Sequence, residues 1–259
     1  MTRALQTRFY PETAVGGFSH VDGSVEFWSR IAALLRPDWR VLDFGAGRGA
    51  HIDTDESDYS RGLKTLKGRV AHVQGCDVDP AVLENPYLDD AVQLRPGEPL
   101  PFADASFDLV VANYVLEHIE DAAGVARELA RVTRPGGWIA GATANRFGYV
   151  ALAASLVPNR SHVAVLRHAQ TTRLDHDVFP TRYRMNSRGA LKKLFAPYGA
   201  VVSYTNSAEP SYHFNSPLLY ALFKTAHKLL PDALQTGLYV FVHRNDQPVA
   251  PPPGAAVPE

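Results

Sequence analysis

The sequence predicts an α/β fold: a doubly wound, mostly parallel sheet of seven strands with helices on both faces. Three observations lead there. Short apolar runs of strand length alternate with segments of helical period. One such run, residues 41–44, passes directly into the glycine turn GAGRG (45–49). A third run, Phe107-Asp108-Leu109-Val110-Val111-Ala112, is apolar almost without alternation, as in a parallel strand buried on both faces.

The elements follow in order. Residues 23–36 read as a helix, because Val25, Trp28, Ile31, Ala32 and Leu35 fall on one face. Asp22 is placed to cap its start and Pro37 lies just past its end. A strand over 40–44 enters the glycine turn. A second strand, over 70–77, ends in Gly75-Cys76-Asp77-Val78-Asp79-Pro80, with Pro80 suited to the first turn of a short helix. The interval 51–69 is acidic first and basic later and lacks an apolar stripe, so any helix there is expected to be short or replaced by a loop. A polar, turn-rich stretch precedes the strand at 107–112. A helix over 122–134 carries Val125, Leu129 and Val132 on one side and stops at Pro135-Gly136-Gly137, and residues 138–143 form the next strand. Beyond it the pattern predicts a helix over 187–196, a strand over 201–204, a helix over 217–230 and a strand over 238–243.

Composition bounds what the chain does. It has 259 residues, 46% hydrophobic and 20% charged, enough for one domain with a real core. Lys+Arg (26) and Asp+Glu (27) nearly cancel, which argues against a general nucleic-acid coat or a polybasic membrane binder. A single cysteine, Cys76, excludes an intrachain disulfide and a Cys-rich zinc site. No stretch approaches the ~20 apolar residues of a membrane span, and residues 1–10 lack the apolar core of a secretory signal. The expected location is the cytosol. The expected organisation is one domain over 1–244: an N-terminal cap and helix (1–38), a cofactor-binding core (39–145), a substrate lid inserted after the fifth strand (146–190) and a C-terminal sheet with helices (191–244). The Pro- and Ala-rich tail 245–259 is expected not to pack.

The turn after the first strand is the most informative segment. Its glycines let the backbone bend sharply and approach a ligand closely. Alone, GAGRGA is a weak signal that fits a dinucleotide-binding turn and also a tight turn with no ligand. Asp43 sets a carboxylate beside that turn. Asp77, at the end of the second strand, is placed as acids are that take both hydroxyls of a ribose in doubly wound sheets. Further on stand LPFADASFDLVVANYVLEHIED (100–121) and RELARVTRPGGWIAG (127–141).

Taken in order over about residues 40–145, these blocks resemble the successive motifs of class I S-adenosylmethionine-dependent methyltransferases, whose fold is Rossmann-like. More loosely, the chain resembles bacterial members of the small-molecule and glycan-associated branch through FYPETAVGGFSHVDGS (9–24), ENPYLDDA (84–91), LVPNRSH (156–162) and DVFPTRYRMNS (177–187). The resemblance implies S-adenosylmethionine as cofactor. Gly45, Ala46 and Gly47 would pass under its methionine part, with Asp43 near the ammonium group, directly or through water. Asp77 would hold the ribose, Val78 would lie against the adenine, and Asn113 would face the cofactor from the fourth strand. Two departures stand out. Asp77 follows Gly49 by 28 positions, against roughly 20 in the related dinucleotide fold. The family also often has an Asp before Leu-Pro-Phe for the adenine amine, where RPGEP (95–99) offers only Glu98.

Methyl transfer asks little more of a protein than an in-line nucleophile and a dry site, and positioning alone supplies ~7–11 kcal/mol. A placed base adds ~100- to 10,000-fold for a hydroxyl acceptor. Glu117 and His118 follow the fourth strand, where the methyl would lie. Quinone-biosynthesis O-methyltransferases have a similar Glu-x-x-Glu-His segment that can bind magnesium. Here Tyr114 replaces the first Glu, so no metal is expected. An ordinary helix start explains Glu117 and His118 equally well. Residues 146–193 hold nine Lys/Arg against Asp175 and Asp177. This is either a solvated charged face or a pocket for an anionic substrate, since Arg forks suit carboxylate and phosphate. Within it His176, Asp177 and Tyr183 are candidates for acceptor binding or proton removal, alongside His118. Tyr212-His213 is a weaker pair. The stripe Leu219, Leu222, Phe223, Ala226, Leu229 and Leu230 of the 217–230 helix reads first as core. A dimer contact or a membrane surface would use it as well.

The expected function is methylation of a small-molecule or glycan-precursor hydroxyl by a monomer or homodimer, without nucleic-acid partners. Two alternatives remain: an NAD-type oxidoreductase, in which the Leu-Pro-Phe and Arg-Pro-Gly-Gly blocks have no role, and a catalytically silent partner protein that keeps the fold.

Overall fold

The computed structural model describes residues 3–149, 151, 180–210 and 214–249. Seven strands form one sheet: β1 (Arg40–Phe44), β2 (His72–Asp77), β3 (Asp90–Gln93), β4 (Phe107–Asn113), β5 (Thr133–Ala144), β6 (Gly199–Asn206) and β7 (Gly237–Arg244). Their order is β3-β2-β1-β4-β5-β7-β6. The first five run parallel, and β7 enters antiparallel between β5 and β6. The order reverses between β1 and β4, and ligands bind at such a switch point, outside the carboxyl ends of the strands.

Helices α1 (Arg3–Phe9), α2 (Gly23–Leu34), α3 (Ala50–Asp53), α4 (Asp58–Lys64), α5 (Ala122–Val132), α6 (Arg188–Phe195) and α7 (Pro217–Leu229) complete the described elements. Alternation along the central strands divides the core between two faces. Val110, Ile139 and Val240 pack with Leu129, Leu191 and Phe195 of α5 and α6. Leu109, Val111, Ala140 and Phe241 pack with Phe27, Trp28 and Ile31 of α2. Side-chain caps start the long helices: Asp22 accepts from Val25 N at 3.0 Å, and Asp121 from Gly124 N at 2.9 Å.

Several readings need correction. The stretch read as turn-rich contains the edge strand β3, whose four residues, Asp90-Ala91-Val92-Gln93, are too few and too polar to show a period. The helix read to 134 ends at Val132, and β5 begins at Thr133. Pairing jumps from Phe107↔Thr133 to Leu109↔Trp138, so Arg134-Pro135-Gly136-Gly137 is a bulge inside the strand. The interval 51–69 holds the two short helices α3 and α4, organised by polar contacts. The Asp55 carboxylate takes Lys64 Nζ at 2.5 Å, Ser60 Oγ at 2.6 Å and Ser57 N at 2.9 Å. That cluster replaces the missing apolar stripe.

The stripe read on 217–230 is also not core throughout. The side of α7 that packs inward carries Tyr220 and His227, while Leu222 and Leu229 are exposed. The first residues of the tail do pack: Val249 lies against the sheet core, and Arg244 donates to the carbonyls of Asn245 (2.6 Å) and Gln247 (2.7 Å). Most of the proposed lid and residues 250–259 lie outside the described residues. No described helix is long and apolar enough to cross a membrane.

Candidate active site

The glycine turn is built by its neighbours. Gly45, Gly47 and Gly49 have φ of +76°, +49° and +82°, a region that L side chains rarely adopt. Gly45 N and Ala46 N donate to Cys76 O at 2.8 and 3.2 Å. Asn85 Nδ2 donates to Gly47 O at 3.0 Å and Ala46 O at 3.3 Å, which clips the turn to the loop after β2. A Cβ on Gly45 would stand 2.5 Å from Val115 Cγ2, so the turn after β4 packs directly on this one. A Cβ on Gly47 would meet only Asp77 Oδ2, at 3.9 Å. The two glycines therefore predict different losses. Gly45→Ala should lower stability by at least ~2 kcal/mol. Gly47→Ala should cost only the left-handed conformation, ~1 kcal/mol, while crowding the ligand side. Thermal melts paired with ligand titration check this, and equal melting losses would refute it.

Two carboxylates flank the turn. Asp77 Oδ2 accepts from Gly47 N and its Oδ1 from Asp79 N, both at 2.9 Å. An ionised carboxylate offers about four acceptor sites, so about two remain. Asp43 sits on β1 opposite Gly75 of β2. Among the described residues its side chain has no hydrogen-bond or ion partner. Burial, and then the charge of Asp77, push its carboxyl up to about 7. Trp28 Nε1 and His51 Nε2 are buried and, among the described residues, have no hydrogen-bond partner; their rings stack 6.1 Å apart. His51 follows the turn by two positions, and nothing in the motif pattern pointed to Trp28. Val78 is 42% exposed. Asn113 ends β4 opposite Ala142 of β5. Glu98 lies exposed on a loop, 3.7 Å from Arg95, so its one described partner is a neighbouring arginine.

The turn after β4 carries a second polar group of side chains. Glu117 is only 6% exposed. Its Oε2 accepts from Thr143 Oγ1 of β5 at 2.8 Å, and Thr143 Oγ1 accepts from Asn186 Nδ2 at 2.7 Å. Residues 180–186 strap this turn. Arg182 N and Tyr183 N donate to Glu117 O at 2.7 and 3.2 Å, and His118 Nδ1 lies 3.1 Å from Pro180 O. Tyr114 and Tyr183 are both held at positive φ, +54° and +51°, strain of the kind that accumulates at functional sites. Of the predicted acceptor residues, the fold thus brings His118 and Tyr183 together and adds Thr143 and Asn186, which no motif marked. His176, Asp177 and the pair Tyr212-His213 lie outside the described residues. The described arginines of the basic segment do not converge: Arg182 lies 3.4 Å from Glu120, and Arg188 Nε donates to Ser203 O.

Residues 42–141 match the family model described as a methyltransferase domain. Residues 42–141 thus carry a methyltransferase domain. The cofactor of this domain is S-adenosylmethionine. Among curated proteins, a demethylmenaquinone methyltransferase from Halalkalibacterium halodurans is 37% identical over 126 residues, 45% of this chain and 51% of that one. A ubiquinone/menaquinone biosynthesis C-methyltransferase from Laribacter hongkongensis is 31% identical over 112 residues, 40% of this chain and 43% of that one. The chain spans about half, or less, of the length of these relatives. Among solved structures, a SAM-dependent methyltransferase from Archaeoglobus fulgidus superposes with a TM-score of 0.51 at 14% identity, covering 92% of this chain and 99% of that one. At that identity the likeness is one of fold. It extends the methyltransferase fold beyond the matched residues, into β6 and β7.

The residues at the turn fit the cofactor of this domain. An unpartnered carboxylate suits an ammonium group, the spare acceptor sites of Asp77 suit two ribose hydroxyls, and the space over Gly47 is open where a Cβ would stand.

Proposed function

We propose that the chain transfers a methyl group from S-adenosylmethionine to a small-molecule acceptor. The observation that carries this reading is the pair of carboxylates, Asp43 and Asp77, on either side of a glycine turn whose middle residue faces open space. In this reading Asp43 holds the ammonium group and Asp77 the ribose, while the unused Trp28 Nε1 and His51 Nε2 would serve as donors to the carboxylate end. Val78 covers the adenine and Asn113 faces the cofactor from β4. When bound, the cofactor supplies an electrophilic methyl group on a sulfonium.

What remains for the chain is to orient the acceptor, keep water out and hold a proton. The strap 180–186 lies over the turn after β4, and the buried Glu117, with Thr143 and Asn186 behind it, forms a polar floor beside His118 and Tyr183. A floor of that kind suits a hydroxyl-bearing acceptor, which must lose a proton before or as it reacts. We favour an oxygen of a small molecule or glycan precursor as the atom methylated. The names of the relatives support a second reading, a ring carbon activated by such a hydroxyl, and the same proton loss serves both.

Isothermal titration separates this function from its rivals. Adenosylhomocysteine is expected to bind the purified chain at micromolar or tighter affinity and NAD to show no heat. Binding of NAD alone would favour the oxidoreductase, and binding of neither would favour the silent partner protein.

A further inference from the structure

Half of the large apolar side chains that stand exposed among the described residues lie in one region: Phe147, Phe214, Leu218, Leu222, Leu229 and Leu234. The helix α7 organises them. At ~100° per residue, Leu218, Leu222 and Leu229 fall within ~40° of one another, opposite the buried Tyr220 and His227. They are 78%, 59% and 79% exposed. Phe147 and Leu234 belong to the same neighbourhood. Asn145 Nδ2 donates to Ala233 O and Gln235 O at 2.8 and 2.7 Å, and the Tyr149 ring stands 5.2 Å from both Phe223 and His227. The face therefore begins where β5 ends, at the carboxyl end of the sheet, where β5 carries Thr143 and the turn after β4 carries Glu117.

The charged residues on α7 and beside Phe147 are basic. Residues 214–231 contain no acid. Lys228 on α7 and Arg146 beside Phe147 are exposed, and Arg146 lies 5.5 Å from the Phe147 ring. An acid, Asp232, stands one turn beyond α7. Lys224 is turned inward, donating to Phe9 O, with its Nζ 4.0 Å from the Tyr10 ring centroid. A leucine stripe flanked by bases is the pattern of a helix that lies in a membrane interface, apolar side among acyl chains and cations against anionic headgroups. A contact between two copies would set these bases against each other.

We propose that this face, α7 with Phe147, Phe214 and Leu234, docks on an anionic lipid bilayer and holds the acceptor edge of the sheet against it. The docking is reversible and independent of the cofactor reading, although it supplies that reading with an acceptor class, one that is lipid-soluble or lipid-linked.

The test is co-sedimentation of the full chain with vesicles of phosphatidylcholine plus phosphatidylglycerol, and with vesicles of phosphatidylcholine alone. The chain is expected to pellet with the first and at least ~10-fold more weakly with the second, and to be released by salt. Leu222→Glu/Leu229→Glu, both at exposed positions, should lose at least ~100-fold in vesicle affinity. Its melting temperature and adenosylhomocysteine affinity should stay at wild-type values. Lys228→Glu should weaken only the phosphatidylglycerol-dependent part. A wild-type chain that stays in the supernatant with both vesicles overturns the proposal. So does a double variant that pellets like wild type, or a wild-type dimer in light scattering that the double variant converts to monomer. Vesicle binding without adenosylhomocysteine binding would uphold the docking face and defeat the methyltransferase reading, and the converse would do the opposite.

Discussion

Asp77→Ala should reduce adenosylhomocysteine affinity by ~100-fold or more while the protein stays folded. Hydrogen bonds to a charged group contribute ~1.5–3 kcal/mol each. Two ribose hydroxyls on one carboxylate therefore account for ~3–6 kcal/mol, two to four powers of ten in affinity. The substitution also releases Gly47 N and Asp79 N. Both lie at a turn open to ligand and water, so the stability loss should be nearer ~1–2 kcal/mol. Calorimetry with adenosylhomocysteine, alongside a thermal melt, reads the two effects separately. Affinity within about threefold of wild type would remove Asp77 from the cofactor site and take the carrying observation with it.

Asp43→Asn should change pH behaviour in two opposite ways. In the cofactor-free fold the Asp43 carboxyl is raised to about 7 by burial, with Asp77 adding to it. A carboxyl whose folded pKa is raised contributes stability at low pH that is lost as pH climbs from its unfolded value, near 4, through about 7. At pH 8 the ionised group thus costs the free protein up to about 4 kcal/mol. Asp43→Asn removes that cost, so the variant should melt several degrees higher than wild type at pH 8 and differ little at pH 4. Cofactor binding moves the other way. The ammonium group needs the carboxylate, so wild-type affinity for adenosylhomocysteine should fall about tenfold per pH unit below about 7, with uptake of the ligand releasing a proton. The variant should bind weakly and without this pH dependence. Melts and titrations at pH 6, 7 and 8 measure both. A variant that is no more stable than wild type at pH 8, or a wild type whose affinity is flat across that range, would show that Asp43 is not the partly buried, poorly solvated group inferred here.

Such a residue trades stability for function. Asp43 is poorly solvated and has no described partner, the arrangement that leaves it ready for a cation.

Much of this was legible in the sequence because it depends on local chemistry. The strand running into GAGRG, the acids at 43 and 77, the cap Asp22, the first-turn Pro80, and the apolar run of β4 each state their conformation in a few consecutive residues. The methyltransferase motifs lie in that stretch, and the family match covers the same residues. What escaped was set by contacts distant in sequence. The strand β3 is an edge of four mostly polar residues and shows no period. The α3–α4 interval is held by Asp55, Lys64 and two serines, a cluster that leaves no apolar stripe to read. Thr143 meets Glu117 across 26 positions of chain and Asn186 meets Thr143 across 43, and no motif links them.

Trp28 shows the same limit from the other side. Its spacing marks it as core, and it is core, 1% exposed, yet its indole nitrogen finds no partner there. Along α7 the sequence shows apolar residues on nearly every side, and periodicity alone assigns them inward. Only the packing of Tyr220, Phe223 and His227 against α1 and Tyr149 decides which side is covered and leaves the leucines outside. By itself, then, the sequence determined the sheet, the turn and the two acids, because φ preference, strand period and carboxylate placement are local properties. The tertiary structure decided which polar groups are buried without partners and which apolar ones are left in water, because desolvation depends on every neighbour at once and not on those adjacent along the chain.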